Sequence, residues 1–151
     1  MKKRALIFGV DGQDGSLMSD FLIKIKYKII GTYRDKKLKK LRSLNILNKI
    51  KLVNCDLSNF SKINNLINKN SPDEIYNFAG VSTLNKSENN LKENDQTNNQ
   101  AVLNIMLSIK DKKKKIKFFQ SLSSEVFKKN KRINLCNEKT KLDINNAYSI
   151  S

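Results

Sequence analysis

Three of the chain's five glycines, Gly9, Gly12 and Gly15, stand three residues apart between the apolar run Ala5-Leu6-Ile7-Phe8 and a helical pattern. That placement points to one local structure: a strand, a tight turn and a helix. Gly9 permits the turn off the strand, Gly12 removes the Cβ that would block close approach of a phosphate, and Gly15 lets the helix pack against the strand. In the helix, Leu17, Phe21 and Ile25 recur at i, i+4 and i+8 beside Met18 and Leu22. Its N-terminus, at Asp14 just after Gln13, offers N–H groups and partial positive charge to an anion. The segment reads as a dinucleotide pyrophosphate site, a meaning the glycine spacing acquires from its strand-to-helix context.

Strand and helix patterns alternate along the rest of the sequence, as in crossover βαβ units, which build a doubly wound α/β fold: a parallel sheet with helices on both faces. Strands are expected at residues 5–8, 28–33, 51–54, 74–78 and 116–121, and the first helix at 14–26. A second helix follows Asp56-Leu57-Ser58, with Ser58 as N-cap and Phe60, Ile63 and Ile67 on one stripe, and is closed by the lone proline, Pro72. A third, near 91–110, turns Val102, Ile105, Met106 and Ile109 inward. With 151 residues the chain has the length of one domain, so 1–151 is read as a Rossmann-type dinucleotide-binding domain of about five strands. A sheet ending there is expected to leave some core exposed.

Composition removes several functions. The chain has no histidine, and Cys55 and Cys136 are far apart without ligand spacing, so neither a metal site nor a histidine-based triad is expected. No apolar run approaches the roughly 18 residues of a membrane span. The stretch after Met1-Lys2-Lys3-Arg4 is too short for a secretory signal, and a cytoplasmic protein is expected. The net charge of +16 includes basic clusters at 110–117 and 128–132. These carry no interleaved aromatic platform and no DNA-binding motif spacing, and the lysine excess runs through the whole chain beside asparagine and isoleucine. The charge is read as a solvated surface rather than a nucleic-acid face, with a field that favours anionic nucleotides.

Ligands of open α/β sheets bind at the carboxyl ends of the strands. There the sequence offers Arg34 after the second strand, Asp56 and Leu57 after the third, and Phe78, Ala79, Gly80 and Ser82 after the fourth. Arg34 suits a ribose 2′-phosphate and hence NADP. Asp35 beside it would select NAD if its carboxylate faces the ribose instead.

Ser123-Ser124-Glu125 follows the fifth strand and Tyr148-Ser149-Ile150-Ser151 ends the chain. Together with Gly9-Val10-Asp11-Gly12-Gln13-Asp14-Gly15, Gly31-Thr32-Tyr33-Arg34, Pro72-Asp73-Glu74-Ile75-Tyr76-Asn77-Phe78-Ala79 and Phe118-Phe119-Gln120, they resemble the extended, sugar-nucleotide branch of the short-chain dehydrogenase/reductase superfamily. Within it the resemblance is to the GDP-mannose 4,6-dehydratase family. It covers essentially the whole chain but only the first half of such an enzyme, without the C-terminal substrate domain. Asp11 stands where that family usually has a hydroxyl residue.

The resemblance implies conversion of GDP-mannose to GDP-4-keto-6-deoxy-mannose by C4 oxidation, loss of water across C5 and C6, and C6 reduction, with NADP unchanged at the end. Tyr148, which would also border the cofactor, would take the C4 hydroxyl proton. Ser123 would hold that oxygen, and Glu125 would take the acidified C5 proton and protonate the departing C6 hydroxyl. An unperturbed tyrosine is only about one part in a thousand ionised at pH 7, which is why the family pairs it with a lysine in a Tyr-x-x-x-Lys motif. Ser151 falls one position before that lysine, so the 151 residues alone are expected to bind dinucleotide weakly and not to turn over. The full-length enzyme is expected to be a homo-oligomer. Competing readings are another nucleotide-sugar epimerase or dehydratase, differing at the Glu125 position, and a non-catalytic dinucleotide-binding module.

Overall fold

Strands that are apolar on both sides need cover on both faces, and β1 (Arg4–Phe8) receives it, with Ala5, Leu6, Ile7 and Phe8 all fully buried. The computed structural model describes residues 2–34, 38–80, 95–123, 126–127 and 136–142. With β2 (Lys28–Tyr33), β3 (Ile50–Asn54), β4 (Glu74–Asn77) and β5 (Lys117–Gln120), β1 forms one parallel sheet in the order β3-β2-β1-β4-β5. Helices α1 (Gln13–Lys24) and α2 (Lys39–Ser43) cover one face through a core of Ile7, Val10, Leu22, Leu41 and Ile46. Helices α3 (Phe60–Asn70) and α4 (Ala101–Lys110) cover the other, through Leu6, Phe8, Ile63, Ile67 and Ile105. The chain leaves β1 toward β2 and returns to β4 on the other side, so a crevice opens at the carboxyl ends of β1 and β4.

The expected doubly wound sheet is present; β2 has its expected limits, and the other strands differ by a residue at one or both ends. Helix faces differ more. On α1, Leu17 and Phe21 are 53% and 58% exposed, and Ile25, just past its end, 50%, while Gly15, Ser16, Ser19 and Leu22 face the sheet. Small side chains let the helix axis approach the strands; Ser16 and Ser19 satisfy their hydroxyls on the carbonyls of Gln13 and Gly15. The helix ends at Lys24, two residues early, because Lys26 turns to φ 68°. On α4 the expected inward Met106 is 51% exposed, and the inward stripe is Ala101, Asn104, Ile105 and Ser108. A π-helical turn, Asp95–Gln100, precedes it, and the expected start near residue 91 lies outside the described residues.

The N-cap of α3 is Asn59, not Ser58: its side chain accepts from the Lys62 N–H at 3.0 Å. Ser58 is instead drawn to Asp56. Ser71, at φ 42°, ends α3 just before Pro72, as the proline implied. Two short elements were not anticipated, α2 and a 3₁₀ turn at Leu47–Lys49. Neither is long enough to display a helical period.

At the amino edge of the sheet, the buried carboxylate of Glu74 accepts from Tyr27 Oη at 3.1 Å and Tyr76 Oη at 2.8 Å. Burial first, and then the Glu74 bond, push the Tyr76 phenol up to about 12. Its folded pKa exceeds its unfolded value near 10, so its contribution to stability is complete below pH 10 and is lost as pH rises toward 12. The stability difference between the wild type and Tyr76→Phe, measured by urea unfolding, is expected to shrink across that window. A constant difference would contradict the raised pKa of the Tyr76 phenol.

Candidate functional site

The loop between β1 and α1 is shaped by three glycines with different tasks. Gly9 adopts φ 75°, and a Cβ there would lie 2.8 Å from the Ala79 backbone nitrogen, so the ends of β1 and β4 meet at this residue. A Cβ on Gly15 would lie 2.2 Å from the Gly9 carbonyl oxygen, which makes Gly15 the contact between helix and turn. Among the described residues, a Cβ on Gly12 would meet only the Gly9 oxygen, at 3.2 Å. Gly12 is also the N-cap of α1 and brings no side chain to the first-turn N–H groups, where the exposed Gln13 and Asp14 sit. This is a cradle with backbone donors and an approach that a single Cβ would narrow, and it fits a pyrophosphate.

Arg34 and Asp56 follow the adjacent strands β2 and β3. Arg34 is exposed, and its carbonyl accepts from Asn54 Nδ2 at 2.9 Å. Asp56 Oδ1 accepts from the Ser58 N–H at 3.0 Å and its hydroxyl at 2.9 Å. These two bonds, with the charges of Lys62 and Arg34 behind them, hold the carboxyl below the usual range. Leu57 is buried beneath the turn. Its carbonyl accepts from Asn104 Nδ2 of α4 at 3.0 Å.

At the ends of β4 and β5, Phe78 stacks on Tyr76 with ring centroids 6.3 Å apart and meets Phe119 at 5.7 Å. Asn77, 1% exposed, accepts from the Ala79 N–H at 3.2 Å and donates to Gln120 Oε1 at 2.8 Å. The Asn77 carbonyl accepts from both the N–H and the hydroxyl of Ser121. This clamp fixes the start of the exposed Gly80 segment beside the strand end that leads to the half-buried Ser123. The structure therefore gathers Gly9, Gly12, Gln13, Asp14, Gly15, Arg34, Asp56, Leu57, Phe78, Ala79, Gly80 and Ser123 along one edge of the sheet. Asp35, Ser82, Glu125 and Tyr148 lie outside the described residues. Sequence reasoning missed Asn77 and Asn104; the available signal was a polar residue at a position whose neighbours in the pattern are buried. Among the described residues no three His, Cys, Asp or Glu side chains are grouped as for a metal ion. Nor is any helix there long and apolar enough to cross a membrane. Burial raises the Cys55 thiol pKa, while Cys136 is exposed.

A parallel sheet reversing its order beside a glycine turn, with polar groups lined along its carboxyl edge, defines the Rossmann-type class of α/β proteins. The chain belongs to the GDP-mannose 4,6-dehydratase family, whose family model, GDP-mannose 4,6 dehydratase, matches residues 6–151. The GDP-mannose 4,6-dehydratase of Vibrio cholerae serotype O1 is 29% identical over 136 residues, covering 83% of this chain and 36% of that protein. The Drosophila melanogaster enzyme is 30% identical over 138 residues, covering 84% and 35%. The chain thus spans about a third of the length of these relatives. Among solved structures, the Campylobacter jejuni UDP-Glc/GlcNAc 4-epimerase superposes with a TM-score of 0.84 at 21% identity, over 98% of this chain and 45% of that one. The Bordetella bronchiseptica enzyme WbmH, in complex with NAD+, gives 0.80 at 18%, over 99% and 49%. At these identities the likeness is one of fold.

Proposed function

We propose that the chain is the NADP-binding, N-terminal part of a GDP-mannose 4,6-dehydratase, acting in the cytoplasm and, in its full-length form, as a homo-oligomer. The observation that carries this reading is the open approach over Gly12, at the crevice of a sheet that matches the family along residues 6–151. The glycine turn would hold the pyrophosphate, and Arg34 the adenosine ribose with its 2′-phosphate. Since Arg34 follows β2, the ends of β2 and β3 would border the adenosine half and those of β4 and β5 the nicotinamide half. When bound, the nicotinamide supplies hydride exchange with C4 and then C6 of the hexose. Tyr148 takes the C4 hydroxyl proton, with Ser123 hydrogen-bonded to the same oxygen. Glu125 removes the C5 proton and delivers a proton to the leaving C6 hydroxyl, so one carboxyl serves as base and then as acid, and the proton held by Tyr148 passes to C5 as C6 is reduced, leaving water as the only group lost.

A fluorescence titration with NADPH tests the cofactor reading. Saturable binding is expected, and Gly12→Val is expected to abolish it by filling the approach. Arg34→Ala is expected to weaken NADPH binding by about 2 kcal/mol, or roughly thirtyfold, and to leave NADH binding nearly unchanged. Tighter binding of NADH than of NADPH would overturn the NADP assignment. Binding that survives Gly12→Val would overturn the glycine site.

A further inference from the structure

We propose that Asn104, one helix away from the ligand crevice, is a positioning residue for the adenosine half of the dinucleotide; the proposal rests on the cofactor reading above. Asn104 lies on the inward stripe of α4 and is 3% exposed. Its amide nitrogen donates to two successive carbonyls of the turn after β3, Leu57 at 3.0 Å and Ser58 at 3.2 Å, while its Oδ1 accepts from Gln100 Nε2 at 3.0 Å.

The chemistry of this position is narrow. Two neighbouring carbonyls need two donors from one point, which a primary amide has, a hydroxyl has only in part, and a carboxylate lacks. A polar side chain this deep is unfavourable unless it is bonded, and here both ends are. The turn it grips carries Asp56, whose Oδ1 is occupied by Ser58, so the direction of the carboxylate follows the course of the backbone from 56 to 58. The turn continues β3 beside the β2 end, where the Cys55 N–H bonds the Tyr33 carbonyl and the charge of Arg34 reaches Asp56, the place proposed above for the adenosine ribose. Asn104 thus acts on the ligand through the backbone of the Asp56–Leu57–Ser58 turn and contacts no part of the ligand itself.

The test compares two probes, 2′,5′-ADP and NADPH, on the wild type and on Asn104→Leu, which keeps the volume and removes the donors. Affinity for both is expected to fall by the same factor, roughly tenfold, because both carry the adenosine half. Gln100→Leu, which removes the bond to Asn104 Oδ1 from an exposed position, is expected to weaken both probes by a smaller common factor and supplies the reading if Asn104→Leu does not fold. Unchanged affinities in a variant whose unfolding midpoint has dropped would make Asn104 a purely structural tie and overturn the proposal alone. Failure of the wild type to bind NADPH would overturn the cofactor reading and this proposal with it.

Discussion

Gly15→Ala is expected to lower the midpoint of thermal unfolding by roughly 6–12 °C, from about 3 kcal/mol of lost stability. The new Cβ would lie 2.2 Å from the Gly9 carbonyl oxygen and 3.0 Å from Val10 Cα, both backbone atoms that cannot rotate aside. Helix propensity gains up to about 1 kcal/mol from the same change and does not offset the overlap. Gly12→Ala, three residues earlier, is expected to behave oppositely. Among the described residues its Cβ meets a single atom, at 3.2 Å, so the midpoint should move by no more than roughly 4 °C, an N-cap effect of about 1 kcal/mol. Binding of NADPH should nevertheless weaken by about tenfold or more, because the methyl occupies the anion's approach. Calorimetry and fluorescence titration on the two variants check the contrast. Equal destabilisation by both would refute the division of labour within the loop.

Asn77→Ala carries the second large effect, about 3 kcal/mol or roughly 6–12 °C in midpoint. Asn77 is 1% exposed and bridges the Ala79 N–H and the Gln120 side chain, so truncation leaves a partly buried donor and a partly buried acceptor without partners and opens a void where the buried amide stood. The double variant Asn77→Ala/Gln120→Ala should lose less than the sum of the two single changes, since the second removes a group the first has orphaned. Strict additivity would show that the bond between them contributes nothing. The same substitution frees the ends of β4 and β5, so Phe78, Ala79 and Gly80 should exchange backbone amide hydrogens faster while the β2 amides remain protected.

Much of the fold was legible because a parallel sheet buried on both faces writes its strands as continuous apolar runs, and 28–33 was read with its observed limits. Helix faces were less legible. Leu17, Phe21 and Ile25 announce a helix by their spacing yet lie outside, because close packing on the sheet selects Gly15, Ser16 and Ser19 for their size rather than their hydrophobicity. The site divided the same way. The glycine turn is a property of residue type and can be read from the chain, whereas Asn77 and Asn104 act through partners 43 to 47 residues away that only the folded topology brings near.

The contact between Val10 and Gly31 has a consequence for recognition. Val10 is fully buried, its N–H is bonded to the Thr32 carbonyl at 3.0 Å, and its side-chain carbons lie 2.7–2.8 Å from where a Cβ on Gly31 would stand. The turn is therefore bolted to β2 by the folding of the sheet. Ordering a free loop costs about 1–2 kcal/mol per residue, and here that cost is met before any ligand arrives. An anion entering the crevice meets a finished mould, and its affinity follows how well it matches that shape rather than how well it can create one.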